Sequence, residues 1–269
     1  MAEQKNEVAK TFKEKLTDKL VSVQSALPKS FNRERFVQNC ITVMNEKPEL
    51  ASINRAEVIQ GLCKAAYLGL DFMNKECYLI AYGNSVQFQT DYKGECKFIK
   101  TYAIRPVLDI FAKVVREGDF FEEGVIDNKP VINFKPQPFS NKDIVGAFAI
   151  VLYKDGGMEY EAMSTADIQN VRNNYSKASQ SKAWKYSFDE MAKKTVLRRL
   201  CKHIETDFES TEARQAWDEG AGMDFDNTTR VKDNEELVDA FSNMETDAIE
   251  FTEISSEPVS EMPMPDNFK

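Results

Sequence analysis

The feature that most constrains the fold is Val145-Gly146-Ala147-Phe148-Ala149-Ile150-Val151-Leu152-Tyr153, a run almost without polar side chains. A strand apolar at nearly every position is buried on both faces, so it belongs in the middle of a sheet. Lys154-Asp155-Gly156-Gly157 turns the chain into a further strand at 158–163. Strands are also expected at 109–117, 130–135 and 143–153.

A second local signal fixes a hairpin. Tyr78–Tyr82 and Ser85–Thr90 flank Gly83-Asn84, a two-residue turn. Counting outward pairs Tyr82 with Ser85, Ala81 with Val86, Ile80 with Gln87, Leu79 with Phe88 and Tyr78 with Gln89. Leu79, Ala81, Val86 and Phe88 then share an apolar face directed at the core. Tyr78, Ile80, Tyr82, Ser85, Gln87 and Gln89 share the other.

Helical spacing accounts for much of the rest. Val8, Phe12, Leu16, Leu20, Val23 and Leu27 predict a helix over 8–27, and Phe36, Val37, Cys40, Ile41 and Met44 one over 32–45. For 55–68, Asn54 is the N-cap, Glu57 completes a capping box, Ile53 and Val58 form a hydrophobic staple, and Gly69 is the glycine past the C-terminus. Residues 92–103 read as a basic helix bearing Lys93, Lys97 and Lys100. Ser164 and Asp167 cap a short helix to about 172, a polar loop covers 173–183, and a helix follows over 187–204. Beyond Glu205 the chain turns acidic and loose, with Gly220-Ala221-Gly222 as a linker. One short helix is expected near 233–245 (Leu237, Val238, Phe241, Met244). The expected division is a core over 1–205, a linker over 206–232 and an acidic, partly helical region over 233–269.

The net charge of −9 hides an asymmetry. Residues 1–205 carry 31 Lys and Arg against 26 Asp and Glu, whereas 206–269 carry 4 against 18. A mildly basic body with an acidic tail fits a nucleic-acid binder with an interaction tail, and fits equally a domain with a solvating tail. The aromatic content (18 Phe, 9 Tyr) is enough for a real core. No window approaches a membrane span, the N-terminus lacks a signal-peptide apolar region, and the five cysteines (40, 63, 77, 96, 201) are never spaced C-x-x-C. These features lead us to expect reduced thiols and a cytoplasmic protein.

Helix 187–204 carries the strongest functional signal. Ala192, Val196, Leu197, Leu200, Cys201 and Ile204 form its apolar side. Lys194, Arg198 and Lys202 recur at every fourth residue, with Arg199 beside them. Like charges at that spacing repel unless an anion lies along them, and phosphates are the natural anion. Lys177, Lys182 and Lys185 surround Trp184 in the preceding segment, as in sequence-independent single-strand binding, where lysines neutralise phosphates and an aromatic stacks on bases. The alternative is a solvated basic face with Trp184 buried. Tyr78 and Tyr82, with Gln87, are candidates for stacking or for contact with another protomer, although most strand tyrosines only pack.

Signals for catalysis are sparse. His203 is the only histidine, which excludes zinc sites built on several imidazoles. Cys201 and His203 face different ways on a helix. The absence of G-x-x-x-x-G-K-[ST] excludes a P-loop ATPase. Glu95-Cys96-Lys97, with Asp71 or Asp91 upstream, matches loosely the acid…Glu-x-Lys pattern of metal-dependent nucleases, but on a helix where those enzymes use a strand.

The ordered series Leu27-Pro28, Pro48-Glu49-Leu50, Ala65-Ala66-Tyr67-Leu68-Gly69-Leu70, Tyr78-Leu79, Tyr92-Lys93-Gly94, Val115-Arg116-Glu117-Gly118-Asp119-Phe120, Tyr153-Lys154-Asp155-Gly156, Met163-Ser164 with Ile168, Trp184, Met191-Ala192-Lys193-Lys194-Thr195 and Arg198-Arg199-Leu200 resembles the RecT/Red beta family of phage single-strand annealing proteins. The resemblance spans about residues 25–203. It implies an α+β fold, with antiparallel sheet and hairpins packed on several helices, and a basic DNA groove at Lys93, Lys97, Lys100, Lys193, Lys194, Arg198 and Arg199. It also implies a homo-oligomer in rings or helical filaments on single-stranded and annealed duplex DNA, and pairing without ATP. The implied partners are a 5′→3′ exonuclease and the host single-strand-binding protein, usually met through the C-terminal region. Adding Arg105, Lys177, Lys182, Trp184, Lys185 and Lys202 completes the expected DNA-binding set. No catalytic residue, metal ligand or cofactor is expected. The competing classes are a metal-dependent nuclease using Asp91, Glu95 and Lys97, and a passive single-strand-binding protein.

Overall fold

A computed structural model describes residues 11–176 and 178–220. In chain order the helices and strands are α1 (Phe12–Ser22), α2 (Arg33–Glu46), α3 (Arg55–Tyr67), β1 (Cys77–Tyr82), β2 (Ser85–Thr90), α4 (Tyr92–Tyr102), β3 (Val107–Arg116), β4 (Phe120–Ile126), β5 (Lys129–Lys135), β6 (Ile144–Tyr153), β7 (Met158–Ser164), α5 (Thr165–Tyr175), α6 (Lys182–Tyr186), α7 (Phe188–His203) and α8 (Thr211–Glu219). Every named strand pairing is antiparallel and the class is α+β. Among the described residues, no helix is long and apolar enough to cross a membrane.

The apolar run becomes β6, the middle strand of the order β3-β6-β7. Its alternation sends two sets of side chains in opposite directions. Ala147, Ala149, Val151 and Tyr153 enter the main core with Ala192, Val196 and Leu200 of α7. Small side chains on this face let the helix come close to the sheet. Phe148, Ile150 and Leu152 meet the hairpin β4–β5 in a separate cluster, where the Phe121 and Phe134 rings lie 5.2 and 5.0 Å from the Phe148 ring. Strand β4 was not anticipated. Its Glu122-Glu123-Gly124 breaks the alternation, and its turn uses Asp127 and Asn128, both at positive φ (51° and 59°), with no glycine.

The first hairpin has the register counted outward from Gly83-Asn84 at all five pairs. Gly83 alone of the two turn residues has positive φ (56°), as the first central position of a type II′ turn requires. Leu79 and Phe88 are buried, while Ala81 and Val86 are half-buried against the same core. The cap at Asn54 holds, its side chain accepting from Ala56 N at 2.9 Å, and Gly69 is left-handed (φ 63°). Glu57 acts differently from the predicted capping box: its carboxylate accepts from Val86 N at 2.8 Å, tying α3 to β2.

Several boundaries move. α1 ends at Ser22 and a 3₁₀ turn, Gln24–Ala26, covers the remainder of the predicted 8–27 helix; Val8 lies outside the described residues. Thr11 and Glu14 form a capping box that starts α1. The predicted loop 173–183 is shorter, because α5 runs to Tyr175 and α6 begins at Lys182. α7 reaches His203 and the chain leaves through extended Ile204 without a proline.

The expectation of a loose segment from 206 is corrected in its first part. Ser210 caps α8 by accepting from Ala213 N at 3.1 Å, and Trp217 stacks on Phe98 of α4 at 4.2 Å. The Gly220 carbonyl then accepts from both Thr90 N (2.8 Å) and Thr90 Oγ1 (3.1 Å). The packed body therefore continues at least to Gly220. The predicted helix near 233–245 lies outside the described residues.

Gly94 sets how closely α4 approaches the rest. A Cβ there would lie 2.0 Å from the Glu76 carbonyl oxygen, which itself accepts from Asp91 N at 2.9 Å. The helix thus seats directly on backbone.

Candidate nucleic-acid interface

The expected stripe on α7 is interrupted at its centre. Ala192, Val196, Leu197, Leu200, Cys201 and Ile204 are buried as their spacing predicts, but Arg198 is 0% exposed as well. Its Nη2 donates to the Trp217 carbonyl oxygen at 2.8 Å, and Nη1 is 3.8 Å from Glu95 Oε1 on α4. Glu95 is fully buried and accepts from Thr90 Oγ1 at 3.1 Å. Burial pushes its carboxyl above the usual range, against the opposing pull of Arg198 and Lys194. Arg198 therefore joins α7, α4 and α8 internally and leaves the expected DNA-contact set. Lys194 is half-buried on α7, and Lys202 is exposed. Arg199 points elsewhere: it is ion-paired with Glu161 of β7 at 2.9 Å, and His203 lies 3.9 Å from the same carboxylate.

Trp184 is corrected too. It is 2% exposed, and its indole N–H donates to Ser176 Oγ at 3.1 Å, so it is unavailable for stacking on a base. Its neighbours Lys182 and Lys185 are exposed, and Tyr186 is 72% exposed with Lys185 Nζ 5.3 Å from its ring centre. Lys177 lies outside the described residues.

The lysines of α4 have different surroundings: Lys97 lines a cleft, and Lys100 reaches another through an ion pair. Lys100 is ion-paired with Asp109 at 2.7 Å, and that contact holds the Asp109 carboxyl below its usual range. Asp109 lines a cleft of about 460 Å³ together with Tyr92, Phe111, Ala112, Lys113, Glu190 and Lys193. Ala112 N donates to Tyr92 Oη at 2.8 Å, fixing the start of α4 on β3, and burial pushes the Tyr92 hydroxyl up to about 12. Lys193 is ion-paired with Glu190. Lys97 lines a second cleft, of about 320 Å³, with Arg35, Phe36, Asp71 and Tyr102, and binds Glu76 at 2.7 Å and the Gly69 carbonyl at 2.8 Å. Lys93 is exposed. Arg105 lies just before β3, ion-paired with Asp155 at 2.7 Å and 3.9 Å over the Tyr153 ring, and is absent from the lining of either cleft.

Lys113 is the residue that sequence reasoning missed. It sits in a strand read only for its apolar pattern: alternation along β3 puts it on the face of Phe111, and only the packing of α4 and α7 beside the strand brings it to Tyr92 and Lys193.

On the hairpin, Tyr82 is 39% exposed, whereas Tyr78 and Gln87 are half-buried. The Tyr78 hydroxyl donates to Asp91 Oδ2 at 3.4 Å. The nuclease arrangement is not assembled. Asp91 faces Tyr78, Glu95 faces Arg198 and Lys97 faces Glu76. Among the described residues, no three His, Cys, Asp or Glu side chains gather where they could hold a metal.

A model of the RecT family matches residues 34–240. The chain belongs to the RecT family. The match runs from α2 past α8, so every candidate residue above lies within it. Among similar proteins, Protein RecT of Escherichia coli (strain K12) is 29% identical over 198 residues, covering 69% of this chain and 71% of that protein. RecT-family membership places this protein among those of DNA recombination and single-strand DNA annealing.

Proposed function

We propose that this RecT-family protein holds one DNA strand along the cleft between α4, β3 and α7 and pairs it with its complement, without nucleotide hydrolysis, in a homo-oligomer that extends the groove. The observation that supports this most is the gathering of cations from three elements around one cleft: Lys113 and Lys193 in its lining beside Tyr92 and Phe111, and Lys100 ion-paired to Asp109 of that lining. Cations with aromatic faces suit a phosphate backbone and bases of any sequence.

Two of these lysines are already paired with carboxylates. Exposed ion pairs are worth about 0–1 kcal/mol, so exchanging Asp109 or Glu190 for phosphate costs little. Lys93, Lys182, Lys185, Lys194 and Lys202 would extend the basic surface beyond the cleft. Base pairing supplies the sequence specificity, so the protein has no covalent step to perform and needs no ATP. A 5′→3′ exonuclease and the host single-strand-binding protein are the partners we assign to the acidic C-terminal region, in the host cytoplasm.

The test is annealing of two complementary oligonucleotides with and without ATP and magnesium. Faster annealing that ignores ATP supports the reading. Slower annealing on adding protein would identify a passive binder, and cleavage of the strand in magnesium would identify a nuclease.

A further inference from the structure

The five-residue helix α6 presents two aromatic side chains two positions apart, and only one is used by the fold. Trp184 anchors the helix. Its indole N–H reaches Ser176, its ring lies 6.2 Å from that of Phe188, and the Arg172 guanidinium sits 5.8 Å from its centre. Arg172 in turn donates from Nε to the Ser179 carbonyl at 2.7 Å, so the loop and helix are held together. Residues two apart on a helix point in widely different directions. With Trp184 turned inward, Tyr186 is turned outward.

A tyrosine ring is a large, rigid apolar surface that normally finds a partner. Tyr186 leaves 72% of its area exposed on a backbone that is fixed by its neighbours. Its surroundings are cationic. Lys185 Nζ is 5.3 Å from the ring centre, and Lys182 is exposed one turn earlier. A flat ring flanked by ammonium groups suits a nucleotide, whose base covers the ring while its phosphate meets a lysine.

Tyr186 precedes Glu190 by four residues and Lys193 by seven, and both of those line the cleft at the start of α7. Four residues of chain span at most about 14 Å, so the ring lies within a few nucleotides of any strand held there.

We infer that Tyr186 is a base-stacking platform at the mouth of the cleft, taking one nucleobase of a single strand regardless of its identity, with Lys182 and Lys185 on the adjoining phosphates. This rests on the reading of the cleft as a DNA groove.

The experiment is binding of the full chain to an oligothymidylate and to an abasic strand of equal length, by fluorescence anisotropy over a range of salt. Tyr186→Ala should weaken oligothymidylate binding roughly tenfold, leave the salt slope unchanged, and leave abasic binding unchanged. Tyr186→Trp should retain affinity, and its new indole should be quenched by oligothymidylate but not by the abasic strand; Trp184 and Trp217, at 2% and 4% exposure, contribute little change of their own. Equal affinity of Tyr186→Ala and the parent for oligothymidylate overturns the inference, as does an equal loss on both strands. A change in sedimentation of Tyr186→Ala without DNA would assign the ring to a second copy of the chain and overturn it as well. If the parent protein binds neither strand, the reading of the cleft fails too, which separates the two failures.

Discussion

The guanidinium of Arg198 lies 4.1 Å over the ring of Trp217 and donates to the carbonyl oxygen of that same residue at 2.8 Å. An arginine expected on the DNA-facing side of α7 is instead the internal fastening of α8. Removing one partner from a buried charge pair costs about 3–5 kcal/mol, because the other is left without compensation. Arg198→Ala should therefore lower stability by that order in denaturant melts, with Glu95 stranded in the core. Lys194→Ala on the same helix should shift the midpoint far less. Equal midpoints for the two variants would show that Arg198 is not buried as described.

The end of the packed body follows from the same contact. A chain ending after Glu205 loses Trp217 from Phe98 and the Gly220 carbonyl from Thr90, and should melt well below the parent. A chain ending after Gly220 keeps both, and should retain the parent's stability and its annealing of bare oligonucleotides while losing recombination that needs partner proteins. Calorimetry of the two truncations decides the boundary.

Lys113 supplies an electrostatic test. Lys113→Ala should weaken single-strand binding across all sequences and lower the slope of log affinity against log salt by about one, as expected for one lost phosphate contact. Lys154→Ala, on the turn between β6 and β7, should leave the slope as it was. An unchanged slope in folded Lys113→Ala would remove that residue from the interface.

The hairpin faces make opposite demands. Leu79 is fully buried, and Leu79→Ala should cost about 2–5 kcal/mol. Tyr82→Ala should cost little stability while impairing annealing. Denaturant melts of both variants, beside the annealing assay, check the assignment.

Acid stability should register the cap of α5. The Ser164 hydroxyl, followed by its amide, hydrogen-bonds Asp167 and holds that carboxyl below the usual aspartate range. The folded form is therefore ionised where the unfolded form is still protonating. The resulting stability is present above the ordinary aspartate value of about 3.9 and is lost as pH falls through the lower folded value. Asp167→Asn should flatten that acid limb in thermal melts, and Ser164→Ala should cost about 1 kcal/mol at neutral pH.

What was legible in the sequence was what neighbours in the chain decide. Gly83-Asn84 specified the register of β1 and β2, Asn54 and Gly69 bounded α3, and Val145–Tyr153 placed the central strand. Residues decided by distant partners were not legible. Arg198 repeats Lys194 at four residues, and only Glu95 and Trp217, brought in from α4 and α8, turn it inward. Trp184 and Tyr186 must point apart, but which one is buried depends on Ser176 and Phe188. α8 did carry a signal, since Ser210 is a cap and Ala213, Ala216 and Trp217 share a face. The acidic composition around it masked that signal.

Gly94 sits between Lys93 and Glu95 and has no room for a side chain over the Glu76 carbonyl. In a saturation library selected for recombination, position 94 would accept glycine alone, as an indispensable contact would, while Lys93 beside it would tolerate exchange. Its intolerance would report the seating of a helix on a loop. Ranking residues in this protein by mutational sensitivity would thus place a residue with no side chain above those that carry the charge.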